Sequence, residues 1–129
     1  MSFSEFTQKD YEVISRNYAD LKEAARKRCS GEQELAVVQK AFDFANEAHK
    51  NVRRRSGEPY ILHPIAVAKI VVNDIGLGYK SIAAALLHDV VEDTDYTVDD
   101  IRHMFGDKIA SLVDGLTKIK NVLDNEDKK

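Results

Sequence analysis

The stretch that decides the fold is an apolar run that ends in ionisable residues, Ala84-Ala85-Leu86-Leu87-His88-Asp89-Val90-Val91-Glu92-Asp93-Thr94. Helical spacing puts His88 and Glu92 on one face of this segment, and Asp89 and Asp93 on another. Burial of such groups is unfavourable unless they are paired or bind a cation. The stretch therefore predicts a buried helix that carries metal ligands and acid–base groups into a pocket.

A second strongly apolar helix is predicted after His63-Pro64, because proline is favoured at the first position of a helix. It runs through residues 65–72 and onward, and Gly76 and Gly78 mark its end. A helix that is apolar nearly all round must be buried. Both apolar helices are therefore expected at the centre of the fold.

Four further helices are expected around this pair. Two carry capping-box signals, which pair Ser30 with Gln33 and Thr97 with Asp100. Their apolar stripes follow helical spacing and comprise Tyr11, Ile14, Tyr18, Leu21 and Ala25; Leu35, Val38, Phe42, Ala45 and His49; Ile101, Met104 and Phe105, ending at Gly106; and Ile109, Leu112, Val113 and Leu116. Because no segment alternates as a strand would, the predicted fold class is all-α, a compact bundle of about six helices.

The chain is expected to divide into an N-terminal helical cover at residues 1–29, a core at residues 30–120 and a polar tail at residues 121–129. The tail is nearly all charged or amide and is predicted to be a frayed end or a loop. His49 closes the apolar stripe of its helix, and we interpret it as a packing or hydrogen-bonded residue rather than a ligand.

Composition limits the class of protein. A chain of 129 residues with 43% hydrophobic and 32% charged residues predicts one soluble globular domain. The net charge of -3 provides no general basic face, so direct nucleic-acid binding is not expected. Cys29 is the only cysteine, which excludes an intrachain disulfide or a cysteine-based zinc site. The sequence shows neither a signal peptide nor a bilayer-length apolar run, so a cytoplasmic location and no membrane partner are expected.

A basic loop lies between the predicted helices, Arg53-Arg54-Arg55-Ser56-Gly57-Glu58-Pro59-Tyr60. Its Ser-Gly and Glu-Pro pairs are turn signals. Three arginines in a row are compatible with a solvated surface run. They are equally compatible with a phosphate or base site, since the guanidinium group both donates in a planar fork and stacks.

Three residues could form a metal site: His63, His88 and Asp89. Mixed nitrogen and oxygen donors suit manganese, iron, zinc or related divalent ions. Such a site can generate a hydroxide nucleophile and neutralise phosphoryl oxygens, which favours hydrolysis of phosphate esters or pyrophosphates. Glu92 and Asp93 are then placed to orient the water or to move its proton.

Two longer segments of the chain resemble the leading motifs of the HD-type hydrolase domain of the Rel/Spo family. They are Arg54-Arg55-Ser56-Gly57-Glu58-Pro59-Tyr60-Ile61-Leu62-His63-Pro64-Ile65-Ala66-Val67-Ala68 and the opening stretch, residues 84–94. Phe105-Gly106 and Val113-Asp114-Gly115-Leu116-Thr117-Lys118 resemble the next two landmarks in the family's order and spacing. The resemblance runs from about Ala41 to Ile119. The family comprises the bacterial stringent-response enzymes that make and degrade guanosine tetra- and pentaphosphate.

The resemblance implies a manganese-dependent hydrolase that removes the 3′-pyrophosphate of these nucleotides, within an HD-domain fold. By motif position it implies that His63, His88 and Asp89 are metal ligands, and that the acidic pair Glu92 and Asp93 positions the attacking water. It also implies that Arg54 stacks on or holds the guanine, and that Arg55 and Ser56 contact the nucleotide.

The sequence departs from the family pattern at its C-terminal side. The family's fourth metal ligand is an aspartate in a later motif resembling Ala-Asp-Arg-Leu-His-Asn, which does not occur up to Lys129, and Asp114 belongs to a different landmark. The chain is therefore expected to be an N-terminal piece of a bifunctional synthetase and hydrolase. Such a piece is expected to bind metal more weakly and to form a homodimer through an exposed apolar groove. Two alternatives stay open: a non-catalytic interaction module, and an HD phosphohydrolase that acts on another nucleotide.

Overall fold

A computed structural model describes the backbone of residues 1–127 and the side chains of residues 1–119. Six α-helices account for most of this part of the chain: α1 Gln8–Arg26, α2 Glu32–Ala48, α3 Leu62–Ile70, α4 Tyr79–Asp93, α5 Val98–Phe105 and α6 Asp107–Asp127. A five-residue π-helical segment, Val71–Ile75, continues α3. Two-residue strands, β1 Ser2–Phe3 and β2 Val52–Arg53, pair antiparallel. The all-α prediction is confirmed, although the short strand pair was not predicted.

Helix α4 is the centre of the fold, as its sequence predicts. Its residues from Ile82 to Val90 are all buried, and it packs against α2, α3 and α6. Three consecutive alanines, residues 83–85, allow the neighbouring backbones to come close. Leu86 and Leu87 are fully buried, and each stabilises the fold by roughly 1.5–3 kcal/mol relative to an exposed side chain.

Helix α1 covers the core through the stripe that the sequence predicts, because Ile14, Tyr18, Leu21 and Ala25 are buried. Tyr18 stacks on Phe42 of α2 with ring centroids 3.8 Å apart. Burial of the Tyr18 phenol raises its pKa above the ordinary value. The outermost members of two predicted stripes lie outside the core, since Tyr11 is 40% exposed and Leu116 of α6 is 38% exposed.

The predicted capping box at Thr97 and Asp100 is confirmed. The Asp100 amide donates to Thr97 Oγ1 over 3.1 Å, and the Thr97 amide donates to Asp100 Oδ2 over 2.9 Å. The predicted capping box at Ser30 is wrong. Helix α2 begins at Glu32 after Gly31, because the Ser30 amide donates to Glu34 Oε1 over 3.0 Å and the serine side chain makes no cap.

Helix α3 begins earlier than its proline predicts. It starts at Leu62, where tight turns let the Leu62 amide donate to Pro59 O (3.2 Å) and the His63 amide to Tyr60 O (2.9 Å). Pro64 is therefore the third helical residue, not the first. Its missing N–H breaks no intrahelical bond there, since the first turn of a helix has no internal acceptors for its amides.

The end of the bundle differs from the sequence prediction. The backbone of residues 121–127 continues α6, where composition predicts a frayed end or loop. Lys128 and Lys129, the end of the predicted tail, lie outside the described residues. Among the helices of the described part, none is long and apolar enough to span a bilayer.

The guanidinium of Arg53 fastens the N-terminal segment to the connection between α2 and α3. Its nitrogens donate to Ser4 O (3.2 Å), Glu5 O (2.8 Å), Gly57 O (2.9 Å) and Asp10 Oδ2 (2.7 Å). Only 14% of its side chain is exposed. The first residue of the basic triplet is therefore structural.

The ion pair between Arg53 and Asp10 predicts an acid-dependent loss of stability. Hydrogen bonds from Arg53, first, and from the Thr7 backbone lower the pKa of Asp10 from 3.8 to about 2. A lowered folded-state pKa stabilises the fold above the ordinary value, and that stability is lost as the pH falls from 3.8 towards 2. The Tm of the wild type, measured by calorimetry, should therefore exceed that of Asp10→Asn above pH 3.8, and the difference should disappear as the pH falls towards 2. A pH-independent difference would contradict the prediction. Asp20→Asn, on the same helix but 70% exposed, is the matched control.

Candidate metal centre

Three of the residues singled out in the sequence meet at one point. His88 and Asp89 come from the last turns of α4, and His63 comes from the first turn of α3. One donor atom from each lies within 4.8 Å of the others. Asp89 Oδ2 lies 3.9 Å from His63 Nε2, and Asp89 Oδ1 lies 3.2 Å from His88 Nε2. The structure brings the predicted ligands together, and their role as ligands stays a prediction.

The donor set fits a divalent metal ion. Ligands held about 2.1 Å from a metal lie roughly 3–4 Å from each other when adjacent, close to the separations seen here. The carboxylate of Asp89 has no exposure to solvent, so its charge calls for compensation by a cation or by donors. The His63 side chain is 35% exposed and leaves a route for water or a ligand. Two imidazoles and one carboxylate suit transition metals.

Two further groups orient these side chains. His88 Nδ1 lies 2.6 Å from the carbonyl oxygen of Ala85, which can only accept, so a proton on Nδ1 makes a hydrogen bond there and leaves the lone pair of Nε2 for a metal ion. The hydroxyl of Tyr60 donates to Asp89 Oδ2 over 3.0 Å. Outer partners of this kind fix the direction and basicity of metal ligands.

The acidic pair stands one helical turn beyond the candidate ligands. Because α4 extends to Asp93, Glu92 follows His88 and Asp93 follows Asp89 at the predicted i, i+4 spacing. Asp93 Oδ2 lies 3.5 Å from Nε2 of His49, whose ring is 1% exposed. His49 Nδ1 lies 3.1 Å from Ala45 O, so a proton on this nitrogen makes a hydrogen bond that fixes the ring. His49 is thus a packed, hydrogen-bonded residue, as interpreted from the sequence, and it also contacts Asp93.

The rest of the basic loop borders a cavity. Arg54, Arg55 and Ser56 are exposed, and together with Met1 and Tyr60 they line a space of about 280 Å³. Residues 54–58 form a turn closed by two hydrogen bonds, from the Arg54 amide to Glu58 O (3.0 Å) and from the Gly57 amide to Arg54 O (2.8 Å). A hydrogen bond from Ser56 holds the pKa of Glu58 below its ordinary value.

Sequence reasoning did not identify Tyr60 as a site residue. It lies next to both the metal cluster and the cavity at the basic loop. Its hydroxyl contacts Asp89, and its ring lies 5.0 Å from that of His49 and 5.9 Å from that of His63, measured between centroids. The available signal was its position directly after Glu58-Pro59, where a turn redirects the chain towards His63.

The described part of the chain is a helical bundle whose central helix carries a histidine–aspartate pair near its end. The family profile described as "HD domain" matches residues 41–129, so the chain belongs to the HD-domain family.

The relatives identify the type of HD domain. The chain is 48% identical over 89 residues to a probable GTP pyrophosphokinase of Mycobacterium leprae, a match that covers 69% of this chain and 11% of that protein. It is 44% identical over 90 residues to a guanosine-3′,5′-bis(diphosphate) 3′-pyrophosphohydrolase of Aquifex aeolicus, covering 70% and 13%. It is 44% identical over 88 residues to the bifunctional (p)ppGpp synthase/hydrolase SpoT of Escherichia coli, covering 68% and 12%.

These relatives support an HD domain of the Rel/Spo type, which confirms the resemblance found in the motifs. The chain spans only 11% to 13% of the length of these three relatives.

The cluster predicts that His88 is needed for metal binding. In a titration with Co²⁺, followed by visible absorption, His88→Ala should bind at least about tenfold more weakly than wild type, because one donor of the buried set is removed. His103→Ala changes an exposed histidine on α5 and should leave the titration unchanged. Equal Co²⁺ affinity in wild type and His88→Ala would show that the cluster is not the metal site.

Tyr60 is predicted to act on the metal through Asp89. Tyr60→Phe removes the donor to Asp89 Oδ2 and keeps the ring, so the Co²⁺ dissociation constant should rise on the order of tenfold. Tyr96→Phe, which changes a tyrosine that is 44% exposed, is the matched control. An unchanged dissociation constant for Tyr60→Phe would mean that the hydroxyl does not tune the carboxylate.

Proposed function

We propose that this chain hydrolyses the 3′-pyrophosphate of guanosine tetra- and pentaphosphate in a Mn²⁺-dependent reaction. One observation carries the proposal: Tyr60 lines the cavity of the arginine loop and also donates to Asp89 of the metal cluster. A nucleotide held by the loop would therefore lie beside the metal-binding residues. The activities named for the relatives, which include 3′-pyrophosphohydrolases and a bifunctional synthase/hydrolase, support this substrate.

His63, His88 and Asp89 would hold the Mn²⁺ ion, which their nitrogen and oxygen donors suit. A divalent ion bound at this position would lower the pKa of a water molecule and would neutralise the charge of phosphoryl oxygens. The protein's own part is to keep the ligands oriented. The Ala85 carbonyl fixes the tautomer of His88, and the Tyr60 hydroxyl fixes one oxygen of Asp89.

Arg54, Arg55 and Ser56 would bind the nucleotide. A guanidinium offers a planar fork for phosphate oxygens and a flat face for a purine, and the role proposed for Arg54 is to stack on the guanine. All three side chains are exposed at the cavity, so they can reach a ligand without leaving partners in the core.

Glu92 and Asp93 are proposed to orient the attacking water and to move its proton. Both lie in the last turn of α4, directly after the metal-binding turn. The imidazole of His49 borders the Asp93 carboxylate at 3.5 Å and limits the directions in which that carboxylate can turn. The domain is proposed to work in the bacterial cytoplasm, as part of a bifunctional enzyme of the stringent response.

The test is release of pyrophosphate from guanosine-3′,5′-bis(diphosphate) in the presence of Mn²⁺. Asp93→Asn should lower kcat by about 10²- to 10⁴-fold, the usual contribution of a general acid or base, while Co²⁺ binding is retained. Asp74→Asn, which changes an exposed carboxylate on the π-helical segment, should behave as wild type.

Three outcomes would contradict the proposal. Equal turnover of other nucleotides would indicate a different substrate. Absence of turnover in a metal-loaded wild-type chain would favour a non-catalytic module. Full activity of Asp93→Asn would remove that residue from the catalytic pair.

A further inference from the structure

The basic triplet is split between two tasks. Arg54 and Arg55 are exposed at the cavity, whereas the side chain of Arg53 is only 14% exposed and contacts the N-terminal segment. The Arg53 guanidinium has five donors, and the hydrogen bonds given above use its three nitrogens on four acceptors. Three acceptors belong to the N-terminal segment and α1, and the fourth is the carbonyl of Gly57 inside the loop.

The backbone of residues 54–58 determines where the side chains of Arg54, Arg55 and Ser56 point. Arg54, Arg55 and Ser56 are exposed, and Arg54 has an ion-pair partner, Glu58, only at 4.0 Å. The bonds that close the turn involve the Arg54 amide and the Gly57 amide. Gly57 also has a left-handed φ of +100°. The hydrogen bond from Arg53 to the Gly57 carbonyl therefore holds the residue whose left-handed conformation makes the turn.

The contacts of Arg53 with Ser4 and Glu5 hold the N-terminal segment beside the same cavity. β1 pairs with β2 in the register Ser2 with Arg53 and Phe3 with Val52. Arg53 also lies over the ring of Phe6, with its guanidinium carbon 5.2 Å from the centroid. This packing places Met1 in the lining of the cavity beside Arg54 and Tyr60.

We propose that Arg53 is a positioning residue for the substrate loop: it holds residues 54–58 against the N-terminal segment, so that Arg54, Arg55 and Ser56 face the nucleotide. This inference rests on the proposed function and extends it to a residue that does not touch the ligand. Arg53 acts through the backbone of the turn, and its loss removes the orientation of the loop while the metal cluster stays in place.

The experiment compares Arg53→Ala and Arg53→Lys with Arg26→Ala. Arg26, at the end of α1, is a matched arginine whose ion pairs in the described part of the chain are with Glu23 and Glu32 on the surface. For guanosine-3′,5′-bis(diphosphate) with Mn²⁺, Arg53→Ala should raise KM on the order of tenfold, the effect of one charge-assisted hydrogen bond, with kcat within about twofold of wild type. Arg53→Lys should be intermediate, because one ammonium cannot reach all four acceptors. Arg26→Ala should change neither constant.

Hydrogen exchange provides a readout that does not depend on activity. In Arg53→Ala, the amides of Arg54 and Gly57 should exchange on the order of tenfold faster, while the amides of α4 keep their protection. Arg53→Lys serves the same measurement if the alanine variant does not fold.

Unchanged loop exchange in Arg53→Ala would overturn the proposal, and so would faster exchange with an unaltered KM. A fall in kcat that accompanies the rise in KM would also overturn it, since it would indicate that Arg53→Ala disturbs more than the loop. If the wild-type chain neither binds nor hydrolyses the nucleotide, the proposed function fails. The exchange data then decide alone whether Arg53 orders the loop.

Discussion

The carboxylate of Asp89, buried without solvent exposure at the end of an apolar helix, is the constraint on which the rest of the site depends. An uncompensated charge in that position would cost several kcal/mol, so hydrogen-bond donors or a cation must lie beside it. The Tyr60 hydroxyl reaches one oxygen from the loop before α3, the His63 imidazole approaches the same oxygen from α3, and His88 approaches the other from within α4. Three separate segments of the chain are thus brought together by one group.

The composition of α4 makes this convergence feasible. Its alanines, residues 83–85, keep the helix thin where α2, α3 and α6 pack against it, and the leucines that follow fill the core. The Ala85 carbonyl then accepts from His88 three residues later, so the same segment both packs and orients a ligand. The helix ends at Thr94, whose hydroxyl donates to Val90 O over 2.6 Å. That end leaves the last turn, with its two acidic residues, at the border between core and solvent.

Much of this arrangement follows from local sequence signals. The apolar run before His88 predicts the central helix, and Thr97 with Asp100 predicts the start of α5, because both depend on residues within one or two turns. The grouping of His63 with His88 and Asp89 follows once both apolar helices are central. The contacts of Arg53 with residues 43 to 49 positions away follow from no such signal. They depend on where the N-terminal segment returns to the bundle, which is a property of the whole fold.

The errors at helix ends have the same origin. A serine at residue 30 satisfies the local pattern for a cap. The charged carboxylate of Glu34 accepts the hydrogen bond from the Ser30 amide instead, and the helix begins at Glu32. Pro64 fits the first helical position, but the turn at Pro59 and Tyr60 starts the helix before it. In both places a hydrogen bond outside the motif outweighs the preference of a single residue.

Tyr60 shows why the loop and the metal cluster should be considered as one unit. Its ring lies between those of His49 and His63, its hydroxyl bonds Asp89, and its backbone amide donates to Val52 of β2 over 2.8 Å. Only two residues separate it from His63. Tyr60 therefore joins the loop to a candidate metal ligand through an aromatic ring and a short helical turn. The ordering of the loop by Arg53 and the orientation of the carboxylate by Tyr60 are thus two ends of one continuous set of contacts.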